Sequence, residues 1–173
     1  EIGRELVMNT LTSVTLRFTK PQFIKSAFPA SGTQDKPESV VNGSVMDYIL
    51  TVTNPDPELP MTNIVIEDKF PMALSPNNYY TVKFNDGATI PIDNTARVTY
   101  SIETVKNDNN EDVRLFTATV DVLDPGDTVE ITIPVKVGLE KGTTISNEAK
   151  ITSINGVPYS NIASNTTYHT VTG

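Results

Sequence analysis

Apolar and polar residues alternate along most of this chain, the period expected of strands that bury one face and wet the other. Val14, Leu16 and Phe18 share a face, with Thr15 and Arg17 opposite. Met46, Tyr48, Leu50 and Val52 stand against Asp47, Thr51 and Thr53. Ile64 and Ile66 follow, then Val98, Tyr100 and Ile102, then Phe116, Ala118, Val120 and Val122. The longest stripe is Val129, Ile131, Ile133, Val135 and Val137. Ile145, Ala149 and Ile151 come next, and the tail from Ile162 to Val171 reads as one final, more polar strand. The Thr, Val and Ile in these runs suit a pleated surface better than a helix.

Turn residues fall between the stripes: Pro55-Asp56-Pro57, Asn77-Asn78, Asn85-Asp86-Gly87, Asp124-Pro125-Gly126-Asp127 and Asn155-Gly156. Each supplies the fixed or left-handed backbone that a reversal needs. Residues 107–112 read as a polar hairpin tip, and a short turn near Met72–Ser75 is the best helical candidate. The pattern predicts an all-β fold, an immunoglobulin-like two-sheet β-sandwich with extra strands and long loops, about eight or nine strands in all. Residues 1–20 read as an N-terminal connector or added strand, and 21–173 as the sandwich domain. No internal repeat is visible.

Three polar residues follow apolar stripes inward. Ile64, Ile66 and Asp68 share a face; so do Ile145, Asn147, Ala149 and Ile151; so do Phe23, Lys25 and Ala27. Buried without partners, these groups would cost several kcal/mol apiece, so they are expected to meet one another. Desolvation disfavours both charged forms, lowering the pKa of Lys25 and raising that of Asp68. A neutral amine is a nucleophile, and the side-chain amide carbon of Asn147 is its electrophile. Protonated Asp68 polarises the amide and shuttles protons as ammonia leaves. The product is a Lys25–Asn147 amide cross-link, with fixed proximity supplying the rate and no cofactor. Each residue also has an ordinary reading: Lys25 snorkelling at an edge, Asp68 capping the turn before Phe70-Pro71, Asn147 bonding backbone at a bend. Lys20 and Asn165 are fallback partners on weaker faces.

Composition narrows the field. The chain has 173 residues and a net charge of −8, which argues against nucleic acid or an anionic membrane as partner. The absence of cysteine removes disulfides and thiolate chemistry. No apolar run approaches the roughly 18–20 residues that span a bilayer, so no membrane insertion is expected. No signal-peptide pattern is read either, which leaves a mature secreted fragment or a soluble intracellular chain. The one histidine, His169, lacks a nucleophile motif nearby and reads as a surface residue of the last strand. Asp108, Asn110 and Asp112 have the alternate spacing of a calcium loop, but the following Gly and the distal bidentate Glu are missing, so a solvated hairpin tip is the plainer reading and no metal is assigned. Asn42-Gly43-Ser44 and Asn165-Thr166-Thr167 match the glycosylation acceptor pattern.

With the inward residues in place, the chain resembles the repeated sandwich domains of Gram-positive surface proteins, the domain-of-unknown-function-eleven group and the related isopeptide-forming pilin domains. Lys25-Ser26-Ala27-Phe28-Pro29 looks like the opening strand with the reactive lysine. Residues 42–54 resemble the strand that runs G-D-x-V-x-Y-x-I-x-V-x-N, with Ser44 where Asp is frequent. Residues 62–71 resemble the strand ending in Asp and then Leu-Pro, with Phe70 in place of Leu. Asp124–Val129 resembles the Pro-Gly turn, and Ile145–Ala149 the N-x-A strand. Residues 1–20 lie outside the match, and 78–112 is longer than a minimal repeat.

The resemblance implies an extracellular, cell-wall-associated structural module of an adhesin, pilus or fibre. Its partners would be neighbouring domains of the same surface protein. The rival reading is a binding module that recognises a host extracellular protein or a glycan through Pro55–Met61, Pro76–Tyr80 and 107–112, with Tyr79 and Tyr80 as a stacking platform. A conventional enzyme lacks a catalytic constellation here.

Overall fold

A computed structural model describes residues 18–77, 79–93 and 97–173. The expectation for residues 1–20 therefore lies almost wholly outside the described residues. Fourteen strands and no helix occur among those described.

The first sheet orders β1 (Gln22–Phe28), β3 (Val45–Thr53), β10 (Thr128–Val137), β6 (Thr81–Phe84) and β7 (Ile90–Pro91), with β5 (Leu74–Pro76) also on β10. The second orders β13 (Val157–Ala163), β12 (Ala149–Ile154), β4 (Met61–Pro71), β9 (Asp112–Leu123) and β8 (Val98–Lys106). A third, three-stranded sheet orders β11 (Thr144–Asn147), β14 (Thr167–Thr172) and β2 (Glu38–Val41). The inner faces of the first two sheets bury one apolar core. Rings meet across it: Tyr48 of β3 lies 5.4 Å from Phe70 of β4, centroid to centroid, and Tyr80 lies 5.5 Å from Phe116 of β9. The fold is an all-β sandwich with the small sheet as its decoration.

Alternation sets which side chains reach the core. Met46, Tyr48, Leu50 and Val52 are buried on β3, and Val129, Ile131, Ile133 and Val135 on β10. Asn155 and Gly156, with φ of 55° and 78°, close the β12–β13 hairpin in the doubly left-handed turn that this dipeptide favours. The Asp124–Asp127 turn is a crossover rather than a hairpin, since β9 and β10 belong to different sheets. Buried Asn54 ties that crossover to the one after β3: its amide donates to the carbonyls of Leu59 and Leu123 at 2.9 Å, and its N–H donates to the Asp127 carbonyl at 2.9 Å.

Several expectations need correction. The tail is two strands, β13 and β14, broken at Ser164–Thr166. Residues 72–73 form a turn leading into β5, and no helical turn forms there. His169 is fully buried: its Nε2 lies 2.9 Å from the Pro29 carbonyl, and its ring stands edge-on to Tyr48 at 6.4 Å. It shares a face with Thr167 and Val171, both buried, so the stripe it belongs to points inward.

Candidate functional site

Lys25, Asp68 and Asn147 converge in the core. Lys25 sits mid-strand in β1 opposite Leu50 of β3, and its neighbours Phe23 and Ala27 point the same way. Asp68 lies on β4 opposite Phe116 on one side and Ala149 on the other. Two facing sheets thus present an amine and an acid to one another. Asn147 ends β11 and pairs with Thr167 of β14, whereas Ala149 begins β12 and pairs with β4. The chain leaves one sheet and enters another at Glu148, and that crossing delivers the Asn147 side chain to the other two.

The lysine Nζ donates to Asp68 Oδ2 and to Asn147 Oδ1. Neither the Lys25 nor the Asp68 side chain has any exposed surface, and Asn147 is 6% exposed. The Asn147 amide nitrogen donates to the Lys69 carbonyl at 3.0 Å. Its carbonyl oxygen thus meets the amine, while its nitrogen is held by the Lys69 carbonyl. The Tyr48 and Phe70 rings lie 4.3 and 5.1 Å from Nζ, forming apolar walls that exclude water.

Burial governs the protonation of the pair. It pushes the Lys25 ammonium below its ordinary value, opposed by the nearby Asp68 charge. It pushes the Asp68 carboxyl up to about 6, opposed by Lys25. Both shifts favour moving one proton from amine to acid. The arrangement has the parts for amide formation: a nucleophile held at a carboxamide, an acid–base group touching the nucleophile, and no solvent-exposed surface on either of the two.

No protein-family model matches the chain, and no curated protein matches it. Solved structures do. The chain aligns over 88% of its length with 41% of BcpA, the major pilin subunit of Bacillus cereus, at 22% identity and a TM-score of 0.57. It aligns over 85% of its length with 25% of the full-length major pilin RrgB of Streptococcus pneumoniae, at 16% identity and a TM-score of 0.54. It also aligns over 88% of its length with 56% of a C-terminal fragment of the major pilin GBS80 of Streptococcus agalactiae, at 15% identity and a TM-score of 0.53. The fold is a pilin-type β-sandwich. The chain spans about two fifths of the length of the Bacillus cereus subunit.

Within this pilin-type sandwich the remaining candidates fall elsewhere. Lys20 is exposed and outside the cluster. Asn165 also stays out of it: its Oδ1 accepts the Lys25 backbone N–H, and its Nδ2 donates to the Lys25 carbonyl, both at 2.8 Å. Asn42 lies exposed in the turn between β2 and β3. The tip of the β8–β9 hairpin is held by the Asn107 side-chain oxygen, which accepts the N–H groups of Asn109 and Glu111, while Asp112 pairs with Lys106 at 2.7 Å. Tyr79 is 72% exposed but Tyr80 is buried against Tyr100 and Phe116, so the two rings do not form one platform. In the loop after β3, Asp56 is buried and its Oδ1 accepts the N–H groups of Glu58 and Leu59.

Sequence reasoning missed the walls and supports of the cluster: Tyr48, Phe70, Ser164 and Thr167. Parity places the two rings inward, but nothing local to them says that they face a lysine. Ser164 lies in the break that the single-strand reading of the tail concealed, and Thr167 begins the strand that follows it.

Proposed function

We propose that this chain is a structural module of a bacterial surface fibre, a pilus or adhesin shaft, fastened by an autocatalytic isopeptide bond between Lys25 and Asn147. The convergence of amine, acid and carboxamide in the buried core carries the reading. The likeness to three major pilin subunits supports the fibre role, an extracellular, cell-wall-associated location, and further pilin subunits or neighbouring domains as its partners.

The reaction follows from the contacts. One proton passes from the Lys25 ammonium to Asp68, leaving a neutral amine beside a carboxylic acid. The amine nitrogen attacks Cγ of Asn147, and Asp68 hydrogen-bonds the developing oxyanion. The nitrogen then gives up a proton through Asp68 to Nδ2 of Asn147. The Cγ–Nδ2 bond breaks and ammonia departs, leaving one new amide. The proton that Asp68 first took from the ammonium leaves with the ammonia as an ammonium ion, which restores the carboxylate. Each chain reacts once and needs no cofactor.

Intact mass tests the proposal. The folded protein is expected to be one ammonia lighter than its sequence, and Lys25→Ala to have its full sequence mass. A wild-type chain at full mass would end the cross-link reading and leave an ordinary pilin-type sandwich.

A further inference from the structure

The break between β13 and β14 touches the backbone of β1, which carries Lys25, and of β12, which begins two residues after Asn147. Asn165 holds Lys25 at its N–H and its carbonyl, each at 2.8 Å. Because β1 ends its sheet among the described residues, no described strand ladders with those two groups on that side, and one carboxamide supplies both hydrogen bonds. Ser164 holds the start of β12, two residues past Asn147: its Oγ accepts the Ala149 N–H at 2.9 Å, and its own N–H donates to the Ala149 carbonyl at 2.9 Å. The same hydroxyl donates to the Asn165 carbonyl at 2.8 Å, coupling the two grips. Two residues on, Thr167 Oγ1 donates to the Asn147 carbonyl at 3.2 Å.

We infer that the Ser164–Asn165 corner is a jig: Ser164 and Asn165 are positioning residues that fix the backbone of Lys25 relative to that of Asn147, so that the amine meets the amide carbon. The inference rests on the proposed Lys25–Asn147 reaction. Lysine has four side-chain torsions, and a fixed base is what makes the reach of its nitrogen reproducible. An offset of about 1 Å between reacting atoms can cost on the order of 100-fold in rate. The jig touches only backbone at Lys25, so it acts on placement and leaves the protonation of Lys25 and Asp68 to their own surroundings. Both polar groups of the Asn165 amide are occupied in the fold, which gives the residue a use other than carrying a glycan.

The test follows bond formation in time. The full chain, recovered unfolded from denaturant before it has ever folded, is diluted into buffer. Folding is read by circular dichroism, and the loss of one ammonia by intact mass, across a range of pH. Asn165→Ala should fold and then form the bond roughly 10- to 100-fold more slowly than wild type at every pH. The midpoints of its pH profile should be unmoved. An unchanged rate, or a shifted midpoint, would overturn the jig while leaving the cross-link intact. If Asn165→Ala does not fold, Ser164→Ala is read by the same criteria. A wild-type chain that never loses ammonia removes the reaction itself, and the jig with it.

Discussion

Asn147 and Ala149 lie two residues apart and belong to different sheets, one paired with Thr167 and the other with Asp68. This is how a side chain from the small third sheet enters the core between the two large ones. The Asp68 carboxylate then has Ala149 as its cross-strand neighbour and the Lys25 amine as its partner, with Asn147 completing the cluster. The site is a product of topology more than of any local motif.

Asp68 is expected to be required for the bond but not for the fold. Asp68→Ala should give a chain of full sequence mass with a β-type circular dichroism spectrum. Asp68→Asn, which keeps the shape but cannot take up the amine's proton, should behave alike. Complete bond formation in either variant would remove Asp68 from the chemistry.

Heat resistance should follow the bond. The cross-link would close a loop of 122 positions, restricting the unfolded chain by about 4–5 kcal/mol by analogy with disulfides. For a chain of this size that corresponds to a fall of roughly 10–20 °C in Tm on losing it. Asn147→Ala, which leaves Lys25 and Asp68 paired, is the appropriate comparison by calorimetry.

Stability of an unbonded variant should rise on acidification. The Asp68 carboxyl is raised to about 6 from 3.8, so the folded state holds this proton more tightly than the unfolded state does. The stabilisation is complete below the ordinary value and is lost as pH climbs through the folded one. Removing the Lys25 ammonium takes away the charge that opposes the rise, which extends the window upward. Lys25→Ala should therefore melt higher at pH 5 than at pH 7, relative to Lys25→Ala/Asp68→Asn measured beside it. Equal pH responses in the two variants would count against a buried acid at this position.

His169 should matter to the fold and not to the reaction. Its buried ring packs on Tyr48 and is bonded to the Pro29 carbonyl, so His169→Ala leaves a cavity and an unpaired carbonyl. A loss of about 2–4 kcal/mol in denaturant unfolding is expected, with the mass still one ammonia below the sequence value.

The strands and their buried faces were largely legible because alternation is a local signal and the core rewards it. The inward parity of Lys25, Asp68 and Asn147 was legible for the same reason, each lying in register with apolar neighbours. Whether they meet depends on long-range pairing, above all the change of sheet at Glu148, which no window of residues around Asn147 encodes. His169 went the other way: a lone imidazole looks like surface by residue type, yet Val171 two positions on shows which face is buried. The Ser164–Asn165 corner was hidden because its residues read as part of one continuous, more polar strand, while their partners at Ala149 and Lys25 lie far off in the chain.

The sealing of Lys25 has a kinetic consequence. Its amine has no exposed surface, so nothing diffusing past can compete for it, and each molecule contains its whole complement of reactants. Any reaction at this nitrogen is first order: indifferent to dilution, to crowding, and to the free amines of the medium in which the chain folds.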